Sequence, residues 1–197
     1  MTTLIINTGV GNVESIKNIL NRIGLETKIA SFEEDFNNFD KFIIPGVGSF
    51  DRAMNELKKY RSFNLLQNKD FLNKKFLLGI CLGMHLLFDE SEEGSEKGLG
   101  IFEGKVKKFK EDRLRIPHMG WNNVYGKNFF QDLNNEKFYF AHSFYVECKE
   151  EYIYAYSDYS IKFPVIVKKN NFYGIQFHPE KSNKNGLELL KKILPTS

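Results

Sequence analysis

Cysteine is scarce in this chain: Cys81 and Cys148 are the only two in 197 residues. A polypeptide of this length buries an adequate core without covalent staples, so neither a disulfide framework nor an oxidising compartment is needed. Apolar runs approaching the ~20 residues that cross a bilayer are missing. The opening stretch Met1-Thr2-Thr3-Leu4-Ile5-Ile6-Asn7 carries neither a basic segment nor a long apolar one, which argues against a secretory signal and for the cytoplasm. Charge excess is absent too. The 28 basic and 25 acidic residues leave a net charge of +3, too slight to imply nucleic acid or an anionic membrane surface as a partner. Low-complexity segments, internal repeats and interdomain linkers are lacking, and 42% hydrophobic with 27% charged residues suits one globular domain over residues 1–197.

What the chain does have is the stretch Phe76-Leu77-Leu78-Gly79-Ile80-Cys81-Leu82-Gly83-Met84-His85-Leu86-Leu87-Phe88. Its first half reads as a buried strand and its second as a helix. Glycines stand two positions to either side of Cys81, the spacing of a nucleophile elbow with cysteine in place of serine. Such a turn lifts the nucleophile out of the buried layer, and small neighbours let the backbone fold back on itself. A buried cysteine is more often simple packing. A packing cysteine, however, does not require the flanking glycines.

Around this stretch the apolar pattern alternates between short strands and helices. Strands are predicted at Leu4–Asn7, Glu26–Ala30 and Lys41–Ile44, and helices over Val13–Ile23, from Phe50 past Leu57, and over Phe63–Phe71. That order implies a parallel sheet covered on both faces. The Gly9-Val10-Gly11 turn does not continue into a dinucleotide fingerprint, because Glu14 falls where the third glycine belongs. Asp89 to Lys97, with five acids, reads as a solvated loop. Beyond Gly100 come seven short strand-like segments, Ile101–Lys110, Asn123–Tyr125, Phe138–Ala141, Phe144–Cys148, Tyr152–Tyr156, Val165–Lys168 and Phe172–Phe177. The predicted fold is α/β: a mixed, largely parallel central sheet covered by helices, with a small antiparallel sheet from the C-terminal half. The basic run of Lys105, Lys107, Lys108, Lys110, Arg113 and Arg115 is read as an exposed strand and its turn. A closing helix is expected over Gly186–Leu194.

Just before that helix, Gln176-Phe177 leads into His178-Pro179-Glu180-Lys181-Ser182. Proline stiffens the turn, so His178 and Glu180 can face one side at a strand end. Cysteine, histidine and carboxylate together make an acyl-transfer set: a thiolate attacks, imidazole carries its proton to the leaving amine, and the carboxylate orients the ring. Val47 and Gly48 of the Pro45-Gly46-Val47-Gly48 turn, with the N–H of Leu82, are candidate oxyanion donors. A bland connecting turn remains the competing account of that tetrapeptide. A metal site built from Cys81, His85, His178 and Glu180 is the other chemical reading, and it leaves the elbow glycines unexplained.

The elbow and the His-Pro-Glu-Lys-Ser stretch, together with Pro117-His118-Met119-Gly120-Trp121-Asn122 and Ala141-His142-Ser143-Phe144-Tyr145-Val146, closely resemble the class I (triad) glutamine amidotransferases. Within that class they look like the glutaminase subunits of imidazole glycerol phosphate synthases. The resemblance implies a flavodoxin-like fold, no cofactor and no metal, and hydrolysis of glutamine by Cys81, His178 and Glu180. Gly46, His85, His142, Ser143 and Phe144 would bind glutamine, with His142 to Phe144 acting through their backbone. It also implies a partner, a HisF-type (β/α)8-barrel cyclase that receives the ammonia in histidine biosynthesis, docking on a face that includes Pro117, His118, Met119, Gly120, Trp121 and Asn122.

Three positions depart from the family pattern. His85 stands where glutamine is usual, Asn7-Thr8-Gly9 where Asp-Tyr-Gly is common, and Phe144 where tyrosine is frequent. Imidazole is shorter than the glutamine side chain and can gain a charge, which would alter glutamine affinity or its pH dependence. These departures leave open a paralogue that feeds ammonia to another synthase, such as one amidating a surface sugar, or a subunit that binds without turnover.

Overall fold

The computed structural model describes residues 2–9, 11–110 and 115–194; Val10 and Arg113, which figure in the motifs above, lie outside them. The first half of the chain alternates as its apolar pattern predicts: β1 (Thr3–Ile5), α1 (Val13–Arg22), β2 (Thr27–Ile29), β3 (Lys41–Gly46) and α2 (Phe50–Leu57). Asn12 caps α1, its side chain accepting the N–H of Ser15, and Gly24 leaves the helix at φ +85°. Ile16, Ile19 and Leu20 of α1, and Phe50, Ala53, Met54 and Leu57 of α2, are the buried stripes.

The single helix predicted over Phe63–Phe71 is instead broken in two. A 3-10 turn covers Phe63–Gln67, and the four-residue helix α3 (Lys69–Leu72) follows it. Asn68 between them is extended, and its side chain accepts the N–H of Phe71 at 3.0 Å. An asparagine that captures a backbone donor in this way starts a new helix rather than continuing the old one.

Next come β4 (Phe76–Cys81) and α4 (Leu82–Leu86), followed by β5 (Glu90–Ser91), β6 (Gly104–Lys108), β7 (His118–Gly126), β8 (Glu136–His142), β9 (Phe144–Cys148), β10 (Ile153–Tyr159), β11 (Ile161–Lys169), β12 (Phe172–Ile175) and α5 (Asn183–Ile193). Nine strands form one sheet in the order β2-β1-β3-β4-β12-β11-β10-β7-β8. Pairings are parallel from β2 across to β12 and antiparallel from there to β8. The small sheet β5-β6-β9 is mixed rather than wholly antiparallel: β6 pairs antiparallel with β9, but β5 joins it parallel.

Alternate residues of the parallel strands feed two apolar layers. Leu4, Phe42, Ile44 and Leu77 pack with α2 on one face. Ile5, Ile43, Leu78, Ile80 and Ile175 pack with α1 and α5 on the other. Both faces are covered, so these strands read as unbroken apolar runs. β3 continues two residues beyond its predicted end, with Pro45 opposite Ile80 and Gly46 opposite Cys81. Proline is tolerated there because β1 has already ended, at Ile5 opposite Ile43, and no ladder on that side needs its N–H.

Candidate active site

Cys81 ends β4 at φ +54° and ψ −112°, conformational space that a side chain other than glycine rarely enters. The glycines make this bend possible. A Cβ on Gly79 would lie 2.4 Å from the carbonyl oxygen of Gly83, and one on Gly83 would lie 1.7 Å from that of Ile44. Backbone therefore touches backbone on both sides of the cysteine, and α4 sits hard against β3 and β4. A strained nucleophile held by its surroundings is a recurrent feature of reactive sites.

β12 lies parallel to β4, with Ile175 opposite Ile80. The chain leaving β12 thus delivers Gln176 and His178 to the end of the sheet where Cys81 emerges. His178 Nδ1 and Glu180 Oε1 are 2.8 Å apart, and both side chains are buried. The carboxylate accepts from Nδ1–H, so Nε2 is the free ring nitrogen. Among the described residues Nε2 has no hydrogen-bond partner. Burial alone would lower the pKa of His178; the negative charge available at Cys81, then Glu180, outweighs it and pushes the pKa up to about 10. Ser182 braces the turn, its hydroxyl donating to the carbonyl of His178 at 2.6 Å and accepting the N–H of Tyr139 at 3.0 Å.

The thiol opens into a cavity of about 210 Å³ lined by Val47, Gly48, Cys81, Leu82, His85, Glu93, Pro117, Met119 and Ala141 through Phe144. This is below the ~300–1,000 Å³ of pockets that take drug-sized ligands. The volume suits something the size of one amino acid. His178 and Glu180 are not part of this wall. A wider groove of about 550 Å³ contains Cys148, but burial pushes that thiol up to about 12, the wrong direction for a nucleophile.

Of the remaining residues singled out from the sequence, Val47, Gly48, Leu82, His85, His142, Ser143 and Phe144 line the cavity, and Gly46 does not. Gly46 lies one layer behind, where a Cβ would come within 3.1 Å of the Leu82 Cβ. Pro117 and Met119, expected on a docking face, also reach the cavity wall. Along β7 the pattern alternates: Met119 and Trp121 are 64% and 48% exposed, whereas His118 is buried and so cannot present its ring to a partner. The four candidate metal ligands do not converge. Among the described residues no group of three or more His, Cys, Asp and Glu is arranged to hold a metal ion.

His85, whose imidazole could in principle gain a charge, is held neutral near pH 7. Burial holds its pKa down to about 4, and the ring donates from Nε2 to the Gln176 Oε1 at 2.9 Å. That bond turns the Gln176 amide so that its Nε2 points to the Cys81 sulfur, 4.0 Å away.

A family model described as "Glutamine amidotransferase class-I" matches residues 4–194. The chain belongs to the class-I glutamine amidotransferases. Among curated relatives of this amidotransferase, the imidazole glycerol phosphate synthase subunit HisH 2 of Methanococcus maripaludis is 46% identical over 96% of the chain and 97% of its own length. The HisH subunit of Listeria monocytogenes is 44% identical over 95% and 92%. At this level the chain falls within the HisH family. A solved glutamine amidotransferase superposes with a TM-score of 0.76 at 19% identity, covering 97% of this chain and 98% of its own. PurLQS from Thermotoga maritima does so with a TM-score of 0.73 at 14% identity, covering 98% and 97%. These two establish the shared fold.

Two residues of this amidotransferase's site carry no role in the sequence reading: the buried Gln176, which contacts His85 and Cys81, and Glu93, on the cavity wall. Glu93 falls in the predicted solvated loop, yet that segment is tied down: Glu93 Oε2 accepts the N–H of Phe50 at 3.0 Å, and Asp51 accepts the N–H groups of Ser95 and Glu96. Burial, moderated by the Phe50 bond, raises the pKa of Glu93. The only hint in the sequence is that serine and glycine interrupt the acids, which a purely solvated charge run does not need.

Proposed function

We propose that this chain is the glutaminase subunit of an imidazole glycerol phosphate synthase, hydrolysing glutamine to glutamate and ammonia. The observation that carries the reading is a cysteine at positive φ opening into a cavity sized for one amino acid, backed by a buried His178–Glu180 pair.

In this mechanism Nε2 of the His178 cation already holds the Cys81 proton, and the thiolate attacks the side-chain amide carbon of glutamine. The tetrahedral oxyanion is met by the N–H of Leu82 and the Val47–Gly48 turn. His178 then protonates the leaving nitrogen, which departs as ammonia and leaves a thioester. Water adds to that thioester with His178 as base, releasing glutamate and restoring the thiolate. Glu180 holds the ring with Nε2 facing the sulfur and stabilises its cation. Glu93 supplies a carboxylate for the substrate's α-ammonium group, while the neutral His85 shapes that end of the cavity and fixes Gln176.

The ammonia passes to a HisF-type barrel cyclase docked on the side of the cavity where Met119 and Trp121 are exposed. The test is glutamate release by the purified chain mixed with that cyclase and its ribotide ligand. Cys81→Ala is expected to abolish glutamine-dependent synthesis by at least 10³-fold while leaving ammonia-dependent synthesis intact. Absence of glutamate release from the unmodified complex overturns the proposal. Activity only with a different synthase would instead support the paralogue reading.

A further inference from the structure

Two imidazoles packed against each other inside the protein have no part in the mechanism above. His118 opens β7, His142 closes β8, and the strand register sets them opposite one another. His142 Nδ1 lies 2.7 Å from the carbonyl oxygen of Phe144, which can only accept, so Nδ1 carries the proton and Nε2 is an acceptor. That Nε2 faces His118 Nδ1 at 3.0 Å, and His118 Nδ1 must therefore be the donor. His118 Nε2 is left bare, and the side-chain amide of Asn122 donates to it at 3.3 Å. The orientation of this amide is independently fixed: its nitrogen also donates to the Asp158 carbonyl at 2.9 Å, and its oxygen accepts the N–H of Asn123 at 2.8 Å. A carbonyl at one end and an amide at the other thus specify every proton between them.

The relay crosses from outside the cavity to its wall. His142, Ser143 and Phe144 line the cavity, and His118 does not. Burial holds both rings neutral, His118 down to about 4 and His142 well below the ordinary imidazole value. An Nε2–H tautomer of His142 would set a bare Nδ1 against the Phe144 carbonyl and lose the bond that closes the turn.

We propose that His118 is a positioning residue for the glutamine site: by donating from Nδ1 it keeps His142 in the Nδ1–H tautomer and so pins the His142–Phe144 turn against the cavity. This deepens the reading of the cavity as a glutamine site and rests on it.

His118 also packs, stacking on Tyr159 with ring centroids 4.0 Å apart and on Phe140 at 4.7 Å. Two substitutions separate packing from donation. His118→Phe keeps an aromatic ring in the stack and removes the donor. His118→Asn places an N–H near the former Nδ1 and removes the ring. In the complex with the cyclase, His118→Phe is expected to raise KM for glutamine about tenfold with kcat within about twofold, and His118→Asn to stay within about threefold of the unmodified KM. The second readout is the imidazole 15N spectrum of the chain without glutamine, where His142 should show the Nδ1–H pattern in the unmodified protein and in His118→Asn, and lose it in His118→Phe. An Nε2–H pattern for His142 in the unmodified protein overturns the proposal, as does an unmoved KM and tautomer in His118→Phe. Equal rises in KM for both variants with the tautomer unchanged would reduce His118 to packing. Because the spectrum needs no turnover, a chain that releases no glutamate would sink the functional reading and leave the relay to be judged separately.

Discussion

His178 and Glu180 are joined by a 2.8 Å hydrogen bond while exposing only 3% and 6% of their side chains. Neither His178 Nε2 nor Glu180 Oε2 has a hydrogen-bond partner among the described residues. A carboxylate with one oxygen on the ring and the other unpaired serves the imidazolium first of all. Glu180→Gln keeps the shape and removes the charge. It should lower kcat for glutamine by about 10²–10⁴-fold, because the His178 cation loses its counter-charge and the proton it must hold and deliver. A stopped assay of glutamate release in the presence of the cyclase and its ligand measures this, and a loss under tenfold would remove Glu180 from the chemistry.

The buried histidines give the stability two opposing pH limbs. His178 has a pKa raised from 6.5 to about 10, so its contribution is complete below about pH 6.5 and is lost as pH rises toward 10. His85 and His118 are depressed from 6.5 to about 4, so they favour the native state above about pH 6.5, and that contribution is lost as pH falls toward 4. Stability should peak near neutrality, each group contributing a slope of at most about 1.4 kcal/mol per pH unit within its window. Urea unfolding at successive pH values checks both limbs. His178→Gln should flatten the alkaline one and His118→Phe the acid one; identical profiles for all three proteins would show that other groups set the curve.

Gly83 and Gly24 make a controlled pair. A methyl group on Gly83 would fall 1.7 Å from a backbone oxygen, whereas one on Gly24, at φ +85°, would meet nothing within 4 Å. Gly83→Ala should therefore cost upwards of about 3 kcal/mol, because β3 or α4 must move. Gly24→Ala should cost only the strain of its left-handed conformation, about 1–2 kcal/mol. Denaturant melts of the two variants test the contrast, and equal losses would mean the elbow is not tightly packed.

Met119 and Trp121 are the outward positions of β7, and the proposed cyclase contact rests on them. Trp121→Ala should weaken binding of the cyclase by about 2 kcal/mol or more, roughly 30-fold in Kd. Phe32, exposed at 46%, shares no element with β7, and Phe32→Ala serves as the control that leaves Kd unchanged. Titration calorimetry with the two variants distinguishes a specific face from general loss of apolar surface.

Much of this architecture is legible in the sequence because its signals are local. The 3.6-residue spacing of Ile16, Ile19, Leu20 and Ile23 specifies α1, and the two glycines around Cys81 specify the elbow. The Phe63–Phe71 stretch misleads because its apolar content suits a helix, while the deciding bond, Asn68 to the N–H of Phe71, belongs to one side chain. Long-range effects are invisible for the same reason. Nothing in the acids around Glu93 reveals that the N–H of Phe50, 43 positions away, will hold the carboxylate at a cavity. Nor does His85 betray its fate from its neighbours in sequence, since the burial that keeps its ring neutral and its bond to Gln176, 91 positions away, are both products of the fold. The alternation of β7 could have warned that His118 and Met119 face opposite ways.

The pairing of β4 with β12 has a consequence for the life of the molecule before it is finished. On the ribosome Cys81 emerges long before His178, its base in the proposed mechanism, and β12, which carries His178 into place, is among the last strands to be made. Until then the parallel layer that holds Cys81 is unfinished. In the proposed mechanism arming the enzyme and completing its fold are thus a single event, and a chain cut before His178 is expected to release no glutamate.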